Sequence, residues 1–115
     1  MRLAIAAVVL VGLAGGCATS SPGTPNAPAG VSYGGGDGLT CDSRVVILGA
    51  TGENQGVAAE YAWVRNRYPG SKVNRQSLVE CDQHPTDQMS ITTSDGKSVD
   101  VHFDISDFFG KGFGS

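Results

Sequence analysis

Eight residues near the end of the chain constrain its fold more than any other stretch. From Ser98 to Ile105, Val99, Val101, Phe103 and Ile105 alternate with Asp100, His102 and Asp104. A strict period of two is the mark of a strand with one face buried and one solvated. Asp95-Gly96, just upstream, is a strong two-residue hairpin signal. Before it, Gln88 to Thr93 alternates Met89 and Ile91 with polar neighbours. Met89 to Ile105 therefore reads as a hairpin whose apolar face needs a cover.

The cover is encoded upstream. Arg44 to Leu48 (RVVIL) is a short β-branched run of the kind buried on both faces of a sheet, and Gly49-Ala50-Thr51-Gly52 breaks it. A helix is expected from about Gln55 to Tyr68, with Asn54 as N-cap and Pro69-Gly70 as stop. Val57, Tyr61, Val64 and Tyr68 would form its buried stripe. Trp63 projects away from that stripe and lies four residues from Arg67, close enough to stack. It is either covered by the C-terminal tail with Phe108, Phe109 and Phe113, or an exposed aromatic anchor for a partner. Lys72 to Glu80 reads as a strand and Asp82 to Asp87 (DQHPTD) as a loop. The expected order is β-α-β-β-β: an α+β two-layer domain, one helix on a mostly antiparallel sheet.

Little of this pattern reaches the first third of the chain. Met1-Arg2 carries one positive charge, and Leu3 to Ala14 is an apolar run of 12 residues, too short for a hydrocarbon core that needs about 20. Small residues follow, as in a secretory signal. Leu13-Ala14-Gly15-Gly16-Cys17 resembles the lipobox of bacterial lipoproteins, with Ala14 where that pattern usually has Leu, and Leu13 one step further back. The resemblance implies cleavage after Gly16, diacylglycerol and acyl chains on Cys17, and stable membrane anchoring. Ala18 rather than Asp after the Cys implies the outer membrane over the inner. The competing reading is an ordinary signal peptide with an incidental Cys. Residues 1–16 are thus the expected signal, 17–38 a lipidated Cys with a Gly/Pro/Ser-rich tether, and 39–115 the folded domain. A domain of that size buries only about 60% of its unfolded surface, and small exported domains often need a covalent staple.

With Cys17 committed to lipid, Cys41 and Cys81 remain. Export places them in an oxidising compartment, where two spare thiols usually pair; such a bridge is worth roughly 4 kcal/mol in chain entropy. Cys81 and His84 also have C-x-x-H spacing, but a structural zinc needs two further ligands.

Lipoprotein processing would remove Arg2, leaving 7 Lys and Arg against 11 Asp and Glu, a net charge of −4. That balance argues against nucleic acid as a partner. Acids concentrate in the second half of the domain, from Glu80 to Asp107, either as a complement to the basic first half or as a functional acidic face. The row Asp100, His102, Asp104 is the best titratable cluster, a candidate for a divalent cation or the solvated face of an amphipathic strand. Gly49-Ala50-Thr51-Gly52 with Gly56 looks like the phosphate loop of dinucleotide-binding dehydrogenases. However, about 75 residues hold too few βαβ units for that fold. No Ser/His/Asp or Cys/His order suggests nucleophilic catalysis. An enzyme remains the third reading, to be raised by a pocket lined with Arg75, His84 and His102.

The stretches Ala59 to Arg65, Tyr68-Pro69-Gly70 and Phe103 to Lys111 are similar to small proteins of proteobacteria that carry no assigned activity, many with lipoprotein signals. That likeness implies an envelope setting and transfers no catalytic residue. The sequence reading is thus a non-catalytic, membrane-anchored envelope lipoprotein that contacts protein or cell wall through Trp63, Arg67, Phe108 and Phe109, with no cofactor. The alternative is a metal- or small-ligand-binding module using Asp100, His102 and Asp104.

Overall fold

The computed structural model describes residues 27–112; the signal, Cys17, most of the tether and Phe113 lie outside them. The described chain forms β1 (Ser32–Gly35), β2 (Val45–Leu48), α1 (Glu53–Arg67), β3 (Lys72–Cys81), β4 (His84–Thr92) and β5 (Ser98–Asp104). The α+β class is as expected, and the Cys41–Cys81 disulfide is present. The element order gains one strand, becoming β-β-α-β-β-β. The five strands make one sheet in the order β1-β2-β5-β4-β3. All neighbours are antiparallel except β2 and β5, which the helical crossover leaves parallel.

The added strand, β1, lies in the stretch expected to be tether. A Gly-rich SYGG segment has little intrinsic strand preference, but β2 offers it an extended partner. The register sets Tyr33 opposite Ile47, and the Tyr33 hydroxyl donates to the carbonyl of Ala59 on α1 at 2.8 Å. The folded unit therefore begins before residue 39.

The helix begins at Glu53 with Gly52 as its extended N-cap, so Asn54 does not cap it. Its buried residues are Gly56, Ala59, Glu60, Ala62 and Val64; of the expected Val57-Tyr61-Val64-Tyr68 stripe only Val64 is fully buried, with Tyr61 and Tyr68 packed partly buried against the core. Small residues win because they let the helix lie close to what it covers. At Gly56 a Cβ would collide with the ring of the fully buried Phe108. Trp63 belongs to this inner face and meets Phe103 of β5 edge-on at 5.5 Å.

Asp82 and Gln83 both adopt positive φ, 52° and 67°, and join Cys81 to His84 in a two-residue turn. Two positive-φ residues match the twist of a hairpin. DQHPTD is therefore a tight turn running straight into β4, not a loop. Pro85 is tolerated at the start of β4 because the β5 ladder begins only at Thr86; its carbonyl still accepts the Ile105 N–H at 3.0 Å. The β4–β5 connection is one residue longer than expected. Ser94-Asp95-Gly96 is closed by the Thr93 N–H on the Lys97 carbonyl at 2.8 Å, with Gly96 at φ 89°.

Met89, Ile91, Val101, Phe103, Ile105 and Phe108 fill the core with Val45 and Ile47 of β2. The segment 36–44 is fastened to the sheet by the disulfide, by Arg44 on Asp104, and by Gly38. The Gly38 carbonyl accepts both the backbone N–H and the ring Nδ1–H of His102, at 2.7 and 2.9 Å. Among the described residues no helix is long and apolar enough to cross a membrane.

Candidate functional site

The residues singled out by sequence do not converge. Phe108 is fully buried in the core, and Trp63 packs partly buried against it. Arg67 sits 5.0 Å over the ring of Tyr68, not over Trp63. Of that proposed surface, Phe109 alone is both apolar and open, at 47% exposure. The tail does reach the helix, where Phe108 packs at Gly56; Phe113, the last residue expected over Trp63, lies outside the described residues.

The Asp100-His102-Asp104 row is likewise divided. Asp100 accepts the Ser90 hydroxyl at 2.8 Å, and His102 is turned to Gly38. Asp104 is 6% exposed and accepts Arg44 Nε at 3.2 Å and the Ser106 N–H and hydroxyl at 2.9 and 2.6 Å. Burial pushes the Asp104 carboxyl up, but the Ser106 donors and Arg44 outweigh it and hold it below the usual carboxylate range. Alternate residues of one strand stand about 7 Å apart, which gave each of the three a different partner. Among the described residues no three His, Cys, Asp or Glu side chains gather for a metal.

His84 Nδ1 lies 3.2 Å from the Ser106 hydroxyl and 3.9 Å from Asp104. The Ser106 hydroxyl donates to Asp104 at 2.6 Å and is engaged there. Cys81 is consumed by the disulfide, which removes the C-x-x-H option. The glycine-rich turn before α1 is also satisfied from within. Asp107 takes the Gly49 amide, Gln55 the Thr51 amide and the Gly112 carbonyl the Glu53 amide, each at 2.7 Å. Those are the donors a pyrophosphate would need.

Two features escaped the sequence reading. The first is Glu60, fully buried beneath α1. Gln76 Nε2 of β3 donates to its Oε1 at 2.8 Å and to Asp87 Oδ2 of β4 at 3.3 Å, while Glu60 Oε2 has no donor among the described residues. Burial first, then the neighbouring Asp87 and the charge of Glu53, push the Glu60 carboxyl up to about 11. It is a neutral acid at physiological pH. Glutamate on a helix usually marks its wet side, and only the register of β3 and β4 reveals otherwise.

The second is a groove of about 440 Å³ lined by Leu78, Val79, Glu80, Pro85 and Phe109. Leu78 is 59% exposed. The groove borders β3, the last strand of the sheet. Isolated exposed apolar residues are ordinary, but apolar groups gathered at a groove mark an interaction site. Comparison with known families, curated proteins and solved structures finds no match to this chain, so the reading of this domain rests on its own geometry.

Proposed function

We propose that this chain is a lipid-anchored protein of the bacterial envelope, lipidated at Cys17 and carried to the outer membrane, whose domain is a non-catalytic module docking a protein segment in the groove beside β3. The observation that carries the docking reading is the pairing of exposed Leu78 and Phe109 around a groove at a sheet edge. The described candidates for chemistry are engaged by the fold itself: Asp104 with Arg44, His102 with Gly38, Cys81 with Cys41. The envelope setting is supported by the apolar run ending in Gly-Gly-Cys and by the disulfide, a bond that persists in oxidising compartments. Net acidity of the processed chain speaks against nucleic acid, and no cofactor enters this reading.

The test has two arms. Globomycin treatment or Cys17→Ser should retain the larger precursor and change membrane fractionation; no change in either removes the anchor. A photo-crosslinking residue at Phe109 should yield a discrete protein adduct in cells, and one at Arg67 should not. Equal adducts at both sites, or none at Phe109, remove the groove as the docking surface.

A further inference from the structure

The groove borders a strand whose two halves are built differently. β3 is an edge strand, and an edge exposes backbone donors and acceptors that invite another strand. The first half carries the usual deterrents: Lys72, Arg75 and a register shift between Val73 and Arg75. The second half, Gln76 to Cys81, pairs regularly with β4 through Met89 to His84 and has no proline, bulge or cation. Counting back from the Cys81–His84 pair that closes the turn, alternate residues turn their N–H and C=O groups away from β4. Those are Glu80, Leu78 and Gln76. The Leu78 and Glu80 side chains line the groove. Backbone valences and an apolar groove thus coincide on one six-residue stretch.

The charge at that stretch is specific. Glu80 is exposed, lines the groove, and forms no ion pair in the described structure. Asp87 of β4 and Glu53 of α1 add negative charge on the helix side of the sheet. The nearest cations on the strand, Lys72 and Arg75, lie on its other half.

Resting on the docking reading above, we propose that the occupant is an extended protein segment that adds as a sixth strand to Gln76–Cys81. It places an apolar side chain in the groove against Leu78 and Phe109 and a Lys or Arg beside Glu80. Strand addition supplies affinity through main-chain bonds, and pockets for alternate side chains supply selectivity; a desolvated Glu80 carboxylate favours a cation.

Selection of a random peptide phage library on the full chain in detergent tests this. The expected enrichment is a period-two apolar pattern with a Lys or Arg at a fixed offset. Methylating alternate backbone nitrogens of the enriched peptide should weaken binding at least tenfold, while methylating the intervening ones should not. Both Glu80 and Leu78 are exposed, so Glu80→Lys and Leu78→Asp leave the core untouched. Glu80→Lys should shift the enriched charge to Asp or Glu, and Leu78→Asp should abolish enrichment. No enrichment, a helical i, i+3, i+4 pattern, insensitivity to N-methylation, or an unchanged consensus in Glu80→Lys overturns the proposal. If the Phe109 crosslink persists alongside any of those results, the docking reading stands and strand addition falls. If that crosslink is also absent, both fall.

Discussion

Replacing Glu60 by Gln should make the domain more stable, and the gain should grow with pH. In the unfolded chain the Glu60 carboxyl ionises around pH 4.5, whereas in the fold it keeps its proton up to about pH 11. The sign follows from proton counting. Above pH 4.5 the unfolded state has released a proton that the folded state still holds, so stability falls as pH rises, at up to about 1.4 kcal/mol per pH unit. The contribution is fully present below pH 4.5 and drains away until the folded group itself ionises. From pH 4.5 to pH 7 the loss reaches about 3 kcal/mol as an upper bound, a large part of what a small domain has. The substituted glutamine carries no ionisable proton. Its oxygen can still accept from Gln76, and its amide can donate to Asp87, filling the position where Glu60 Oε2 lacks a donor. Asp104 does not confuse the measurement, because its lowered value places its own loss below pH 3.8. Urea denaturation with the disulfide intact, at pH 5, 7 and 8.5, should show wild-type stability declining and Glu60→Gln nearly level. The two should be close at pH 5, with the variant ahead by about 2–3 kcal/mol at pH 7. Parallel pH profiles, or a variant less stable at pH 7, would refute the claim that Glu60 is a buried neutral acid.

Three further changes test the packing. Gly56→Ala should gain up to about 1 kcal/mol in helix propensity yet lose about 1–3 kcal/mol by overpacking, because the Phe108 ring it meets is itself fully buried; a lowered melting temperature is the readout. Reducing Cys41–Cys81, which spans 40 residues, should lower stability by about 4 kcal/mol in the chain-entropy account, measured by denaturation with and without reductant. Trp63→Ala should cost about 3 kcal/mol, the low end for a large aromatic, since the ring packs edge-on against Phe103 but is only partly buried. Trp63 emission in the folded protein should be blue-shifted and should move red on unfolding.

The hairpin and the position of β2 were legible because their signals are local, although β2 buries Val45 and Ile47 and leaves Leu48 exposed where burial on both faces was expected. Val99 to Ile105 alternates, and the core takes Val101, Phe103 and Ile105 as that alternation requires. Helix α1 was legible as a helix but not in its rotation. Periodicity weighs Val57, Tyr61 and Tyr68 by size, whereas a helix laid close against a sheet and a buried aromatic selects Gly56 and Ala59, which carry almost no hydrophobic signal. β1 had almost no local signal. Its extended form follows from the neighbouring backbone of β2, and Tyr33 was its one clue. The Asp82-Gln83 turn was hidden by Pro85, which reads as a strand breaker until one knows that its missing N–H falls outside the β5 ladder.

The candidate site was less legible, for a related reason. Sequence identifies residues capable of chemistry, and a small domain spends such residues on itself. With limited apolar surface to bury, it uses Arg44 to neutralise Asp104, His102 to clamp Gly38, Gln55 to occupy the Thr51 amide, and Phe108 to fill the hollow over Gly56. Asp104, His102 and Phe108 were functional candidates by sequence and are structural members by geometry. What remains for a partner is what the fold leaves unfinished. Among the described residues, the second half of β3 has no outer neighbour for its backbone, Leu78 has no cover and Glu80 has no counter-ion. None of these absences is visible in the residues themselves, since Leu78 and Glu80, two residues apart, simply share one face of an alternating strand. It is the strand order β1-β2-β5-β4-β3, a non-local property, that places them on an edge and turns an ordinary same-face pair into the surface to test.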